Sequence, residues 1–309
     1  KAQIHYQGHT GCMEDLLSGS GVDRDRLVGV AYRMLGSVSD ANDAVQEAYV
    51  RWYRLDENAR ASVKNPAGWF VKTTSRICLD VLKSASRRHD IYVGPWLPEP
   101  IPAARFTSQY MDGQDPADQT LKSESLGMAL LTVMERMSPG ERVAFVLRDV
   151  FEYPISDIAE VLERSPGAVR QLASSARARL NSGPPASTQA SNELLRAFQH
   201  AAVTGDVARL VRLLHPEVKL RSDGGGVVRA ALNPIHGPGK VARFFIGVLA
   251  RQAPATLTLA QGPTGDLGVF THHHTVTGVV ELIVAVECSR VIEVLIQWNP
   301  SKLQEWVRT

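Results

Sequence analysis

Prolines at 95, 98, 100 and 102, in the run YVGPWLPEPIP, dictate how the rest of this chain is divided. Each ring fixes φ and removes a backbone donor, so the stretch is extended and stiff and no helix can run through it. Trp96 and Leu97 within it are costly to leave in water and need something to dock on. A second break, Ser182 to Thr188 with Gly183-Pro184-Pro185 at its centre, is a linker by composition. Up to Asn181 apolar residues recur at helical spacing, whereas from Thr256 to Trp298 they alternate in the manner of four antiparallel strands. At 309 residues the chain is longer than one core usually serves. The expected fold class is multidomain: two all-α helical domains, the second with a helix-turn-helix, followed by an α+β cone. The expected divisions are an N-terminal segment at 1–23, in which Met13 is a candidate start after vector-derived residues, and a helical domain at 24–90. The proline-rich linker with WLPEP takes 91–120, the second helical domain 121–182, a short linker 183–191 and the cone 192–309.

The second helical domain ends in PISDIAEVLERSPGAVRQLASSARARL. Ile155, Ile158, Ala159 and Leu162 share one helix face, and Ser165 with Pro166 then supplies a cap and a first-turn proline for another helix. Val169, Leu172, Ala173, Ala176 and Leu180 stripe that helix inward, leaving Gly167, Ala168, Arg170, Gln171, Ser174 and Arg177 outward. Small residues alternating with long donors suit a helix lying in a DNA major groove; an αα-hairpin with a merely wet face is the alternative. Upstream, Leu121 to Arg148 reads as two further helices broken at Ser138-Pro139-Gly140.

In the first domain Leu27, Val30, Ala31 and Met34 share a face that ends at Gly36. The next helix, DANDAVQEAYVRWYRL, puts Ala44, Val45, Ala48 and Trp52 inward and Asp40, Asp43, Gln46, Glu47 and Arg51 outward. Those acidic residues either complement the positive helix end or form a docking face. After a polar loop, Asp56 to Asn65, Pro66 opens a third helix whose Trp69 and Phe70 read as core. Lys72, Arg76, Lys83, Arg87 and Arg88 lie along its side. Five cations on one helix make a track for a phosphate backbone, or simply complement the negative end of the helix.

A net charge of +2 is small for a stand-alone DNA binder, so nucleic-acid affinity must come from local patches or a partner. The best apolar run, Gly278 to Val286, is short and holds Glu281, so no membrane span is expected. Cys12, Cys78 and Cys288 are scattered and odd in number, which suits a reducing cytoplasm. In the cone, Asn192 to Leu214 reads as two helices, Val218 to Leu220 as a strand and Gly239 to Ala250 as a helix. Gly224, Gly225 and Gly226, after Asp223, allow close approach of another chain. Catalysis there would need a buried carboxylate or His with a shifted pKa, for which Asp223, His236, Asp266, Glu281 and the triplet His272-His273-His274 are candidates. His272 and His274 can share a strand face, but with no third ligand neither a metal nor a cofactor is expected.

The order of these motifs resembles a known family. DANDAVQEAYVRWYR is similar to the core-polymerase docking helix of bacterial sigma factors of the extracytoplasmic-function type, Pro66 to Arg88 to their minus-ten recognition and melting region, and Ile155 to Leu180 to their minus-thirty-five helix-turn-helix. Arg76 and Lys83 depart from the family's usual Asn and Arg, and Gly68 stands where Ala is common. Residues 192–307 resemble the SnoaL-like branch of the nuclear-transport-factor-2-like superfamily. WLPEP, DGGG and the final NPSKL occur together in the sigma-factor group that carries such a domain. The resemblance implies a non-enzymatic promoter-specificity subunit. Asp40, Asp43, Gln46, Glu47 and Arg51 would bind core RNA polymerase. Lys72, Arg76, Lys83, Arg87 and Arg88, with the Asp56–Asn65 loop, would hold minus-ten DNA. Ser165, Arg170, Gln171, Ser174 and Arg177 would serve the minus-thirty-five element. It also implies that the cone regulates in cis, with no separate anti-sigma protein, through Trp96, Leu97, Pro98, Glu99, Pro100, Asp223, Gly224, Gly225, Gly226, Asn299, Pro300, Lys302 and Leu303. In that contact Glu99 would pair with Lys302, the triple glycine would admit the linker, and Ser301, where the group has Asp, would lack a salt bridge. A one-component DNA regulator with a ligand-sensing cone, and a SnoaL-like isomerase or cyclase fused to a helical module, are the alternatives. A small-molecule ligand in the cone stays open.

Overall fold

The computed structural model describes residues 23–88, 92–104, 127–181, 187–251, 256–285 and 287–307, with backbone alone at 85–88, 181 and 187–189. Helix α1 (Arg24–Leu35) starts where the Asp23 carboxylate accepts from the amides of Asp25 and Arg26, and stops at Gly36, whose φ of +69° is a left-handed cap. Ser37 caps α2 (Val38–Arg54) in the same way. Where a polar loop was expected, a short helix α3 (Glu57–Ser62) stands on an Asp56 cap. It buries no side chain, so it carries no apolar period that a sequence could display. On α4 (Pro66–Arg88) Trp69 is half-buried and packs edge-on against Trp52 and Phe70, with ring centroids 5.0 and 5.2 Å apart.

The second helical group comprises α5 (Met128–Met134), α6 (Pro139–Phe145), a π-turn (Val146–Val150), α7 (Ile155–Leu162) and α8 (Pro166–Asn181). Ser138 and Glu141 form a reciprocal capping box at the start of α6. The two helical groups share one apolar core, running from Leu27, Met34 and Phe70 to Val143, Leu147, Ile158 and Val169. Buried Arg142 on α6 reaches across to donate to the Met34 carbonyl at 2.9 Å. Arg33 is fully buried with its guanidinium 5.1 Å from the Phe151 ring centroid, and burial pulls its pKa down to about 9.

The C-terminal domain is built from β1 (Ser187–Gln189), α9 (Asn192–Val203), α10 (Val207–Leu213), β2 (Leu214–Asp223), β3 (Ile235–His236), α11 (Pro238–Arg251), β4 (Thr256–Gln261), β5 (Asp266–His272), β6 (Thr275–Ala285), β7 (Arg290–Gln297) and α12 (Gln304–Val307). The sheet order is β3-β2-β7-β6-β5-β4, with β2 parallel to β7 and the other neighbours antiparallel. β1 falls in the segment read as a linker: it pairs with Ile283–Ala285, where β6 runs on past its last partner in β5 and offers a free edge. One face of the sheet packs on α9 and α11, and Phe198, Phe245, Phe270 and Trp298 fill that interior as a chain of rings with centroids 4.9, 5.8 and 4.5 Å apart. The opposite face carries Leu267, Val269, Val279 and Leu295, covered by Leu303 and Trp306, by Leu97 of the linker and by Met128 of α5. A sheet covered on both sides explains why β6 is buried without alternation from Gly278 to Ala285.

Candidate interdomain clasp and nucleic-acid interface

The linker is gripped from both sides. On the cone side, Asp223 at the end of β2 is fully buried. Its Oδ2 accepts from the Leu97 amide at 2.9 Å, from Lys302 Nζ at 2.7 Å and from Gln297 Nε2 at 3.3 Å, and its Oδ1 accepts from Tyr92 Oη at 2.6 Å and from the Gly225 amide at 2.9 Å. Lys302 Nζ also donates to the Leu97 carbonyl at 2.7 Å and lies 4.1 Å from the Trp96 ring centroid. Burial lowers the Lys302 pKa, and the Asp223 charge opposes that shift. An extended proline-rich backbone leaves its carbonyls without internal partners. Here Gln297 Nε2 serves Leu97 and Pro98 at 3.1 Å each, and Trp306 Nε1 serves Pro100 at 2.8 Å.

On the side of the first helical domain, the Glu99 amide donates to the Gly36 carbonyl at 2.9 Å and its carbonyl accepts from Tyr32 Oη at 2.6 Å. Its carboxylate accepts from the Val38 amide at 2.9 Å, at the positive end of α2. Burial raises the Glu99 pKa, with the hydrogen bonds from the Val38 amide and the Ser37 side chain opposing. The expected Glu99–Lys302 pair is therefore not made: each group has a nearer partner, Glu99 in the α2 amide and Lys302 in Asp223. The Lys302–Asp223 pair is buried, not exposed. Gly225, at φ +62°, makes room for Asn299, since an added Cβ would stand 2.3 Å from Asn299 Nδ2; Gly226 is the glycine that faces the linker, at Val93. Ser301 needs no carboxylate, because its amide and hydroxyl both donate to Asn299 Oδ1 at 3.1 and 2.9 Å, closing the Pro300–Lys302 turn.

The cone also holds the second helical group. Fully buried Glu281 on β6 accepts from the amides of Met128 and Ala129 at the start of α5, and burial pushes its pKa up to about 7. Of the other residues considered for catalysis, His236 is exposed on β3, and Asp266 is half-buried at the start of β5. β5 ends at His272, and His273 and His274 follow in a turn at φ +48° and +63°, so the strand alternation that would align His272 with His274 does not apply. Among the described residues no His, Cys, Asp and Glu group of three or more is arranged to hold a metal, and no helix is long and apolar enough to cross a membrane.

On α2, Asp40, Asp43 and Gln46 are exposed, and Glu47 pairs with Arg51 at 2.9 Å. On α4, Lys72 is ion-paired with Glu160, and Arg76 donates to the Glu160 carbonyl at 2.7 Å and lies 3.3 Å from Glu163 Oε1. Lys83 is exposed beside Asp80, while the side chains of Arg87 and Arg88 lie outside the described residues. On α8 Ser165 caps the helix through the Ala168 amide at 3.2 Å, Arg170, Gln171 and Ser174 are exposed, and Arg177 Nε donates to Asp149 at 2.9 Å. Lys83 of α4, Arg164 of the turn after α7, and Ala168 and Gln171 of α8 line one cleft of about 540 Å³.

Residues 23–88 match the family described as Sigma-70 region 2, and residues 127–180 match Sigma-70, region 4. The ECF RNA polymerase sigma factor SigJ of Mycobacterium tuberculosis (strain ATCC 25618 / H37Rv) is 37% identical over 254 residues, 80% of this chain and 78% of SigJ. The chain belongs to the extracytoplasmic-function sigma factors. A probable sigma factor of that class, SigI of Mycobacterium tuberculosis, is 32% identical over 285 residues, 91% of this chain and 92% of SigI. The crystal structure of Mycobacterium tuberculosis SigJ aligns with a TM-score of 0.66 at 30% identity, covering 96% of this chain and 99% of that one. This sigma factor binds core RNA polymerase and promoter DNA to direct transcription initiation, and it is not an enzyme.

Sequence reasoning about the sigma factor missed Gln297 and Trp306 as linker ligands, Tyr92 as the linker's own donor to Asp223, and Glu160 and Glu163 as partners of α4. The signal for Gln297 and Trp306 was the linker's own chemistry: prolines bring carbonyls that need donors. Nothing in the local pattern of α7 announces its partners, which are 84 and 88 residues away.

Proposed function

We propose that the cone is a cis-acting clasp that holds the sigma factor closed. The observation that carries this reading is the linker gripped between Asp223, Gln297 and Lys302 on one side and Tyr32, Gly36 and Val38 on the other. In the closed form Asp40, Asp43, Gln46, Glu47 and Arg51 stay on the outer face of α2 as the polymerase-docking surface, while Lys83 of α4 and Gln171 of α8 look into one cleft and α7 occupies Lys72 and Arg76. Arg170, Gln171 and Ser174 would read the minus-thirty-five groove, with Ser165 capping their helix and Arg177 released from Asp149. Lys72, Arg76, Lys83, Arg87 and Arg88, with α3 and its flanking loops, would hold the minus-ten strand. Acting on polymerase, the protein works in the cytoplasm. With the regulator fused, no separate anti-sigma protein is required.

The test is transcription by reconstituted polymerase on a promoter selected with the full chain, comparing wild type with Gln297→Ala and Lys302→Met together. Loosening the clasp is expected to raise transcript yield about three-fold or more at equal sigma concentration, in proportion to the open fraction. Equal yield would remove the cone's regulatory role and leave the family assignment untouched.

A further inference from the structure

We propose that the first helix of the helix-turn-helix, α7, is an acidic lock that occupies the α4 cations in place of a nucleic-acid backbone, so that DNA phosphates reach those cations only by displacing its glutamates. The proposal rests on the reading of α4 as the helix that holds the minus-ten strand.

Two carboxylates and a backbone carbonyl converge on two cations. The Glu160 carboxylate takes Lys72, the Glu160 carbonyl accepts from Arg76 at 2.7 Å, and Glu163 Oε1 lies 3.3 Å from the same guanidinium. That carbonyl belongs to the last turn of α7, where the helix dipole adds negative potential. A phosphate would present the same chemistry, several oxygens sharing one formal charge, to the same Lys and Arg.

Backbone geometry supports a dedicated contact. Glu163 caps α7 at φ +52° and ψ +46°, a left-handed conformation that Gly or Asn adopts at less cost than Glu. Glutamate at this position loses conformational ease and gains a carboxylate aimed at Arg76.

The lock is at the surface. The Glu160 and Glu163 side chains are 61% and 79% exposed, so a polyanion can displace them without unfolding either helix. The apolar packing of α7 beneath, through Ile158, Ala159, Val161 and Leu162, holds the two groups together regardless of charge. The acidic pair therefore decides whether the cations are available, and the apolar contact decides how compact the chain is.

The experiment uses the full chain and fluorescent single-stranded oligonucleotides of mixed sequence, with affinity read by anisotropy at low and at high salt. Glu160→Gln with Glu163→Gln is expected to tighten binding about three- to ten-fold at low salt, the range open to a few exposed ion pairs, with the advantage shrinking as salt rises. Glu152→Gln with Asp157→Asn removes the same charge nearby; neither residue touches Lys72 or Arg76 in the contacts above, and this pair is expected to change binding less than two-fold. Equal tightening in both double variants, or in neither, would overturn the lock. Lys83→Glu separately tests the reading of α4: it takes no part in the lock, and if it leaves oligonucleotide binding unchanged, the reading of α4 fails whatever the glutamates do.

Discussion

Both oxygens of Asp223 are engaged, and one of their partners is a buried ammonium. Removing that ammonium strands a carboxylate in a dry seam, which is far costlier than losing an exposed pair. Lys302→Met in the full chain is expected to cost the docked state about 3–5 kcal/mol. The Leu97 amide reports this directly, because its acceptor is Asp223 itself. Its hydrogen exchange is expected to accelerate by about two orders of magnitude or more, and an unchanged rate would show that the seam is held by apolar contacts alone. Leu97 is fully buried among Met128, Leu267, Val269 and Leu295, so those contacts are the competing explanation.

At the scale of elements, β6 and α5 meet through Glu281. Burial raises its pKa from the ordinary 4.5 to about 7, while the Met128 and Ala129 amides pull the other way and the Glu293 charge adds to the rise. The docked state therefore holds a proton that the separated elements release. The stabilisation is complete below the ordinary carboxylate range and is lost as pH rises through about 7. Denaturant titrations between about pH 5 and pH 8 are expected to show wild type losing stability toward alkaline pH relative to Glu281→Gln, which imitates the neutral carboxyl. Parallel pH profiles would mean that the carboxyl is not desolvated in the docked chain. The same junction accounts for β6's run of buried residues, since Val280, Leu282 and Val284 face α9 and α11 and Val279, Glu281 and Ile283 face outward.

For the whole molecule, the cone's outer face is apolar because it was never a surface. Leu267, Val269, Val279 and Leu295 are each at most 3% exposed in the full chain, covered in part by Leu97 and Met128. A cone expressed alone from Ser187 onward loses those two covers and exposes a contiguous apolar patch. It is expected to self-associate or precipitate where the full chain stays monodisperse, as gel filtration with light scattering would show. A well-behaved monomer of the isolated cone would mean that Leu303 and Trp306 suffice to cover that face.

The helix-turn-helix, the helix before it and the alternating strands were legible because each is set by a local period or a cap: Ser138 and Ser165 sit where the pattern put them, whereas the cap of α2 is Ser37 and not Ser39 or Asp40. Among the elements that escaped, α3 and β1 did so for the converse reason, since α3 buries nothing and β1 exists only because β6 leaves an edge open. The residues of the seam were legible through the resemblance of WLPEP, DGGG and NPSKL to a known group, yet their pairing was not. Glu99 turned to an α2 amide, Lys302 to Asp223, and Lys72 and Arg76 to Glu160 and Glu163. Composition and periodicity report which face of a segment avoids water. Which charge meets which is decided by distances between residues far apart in the chain, and those exist only once the domains have packed together.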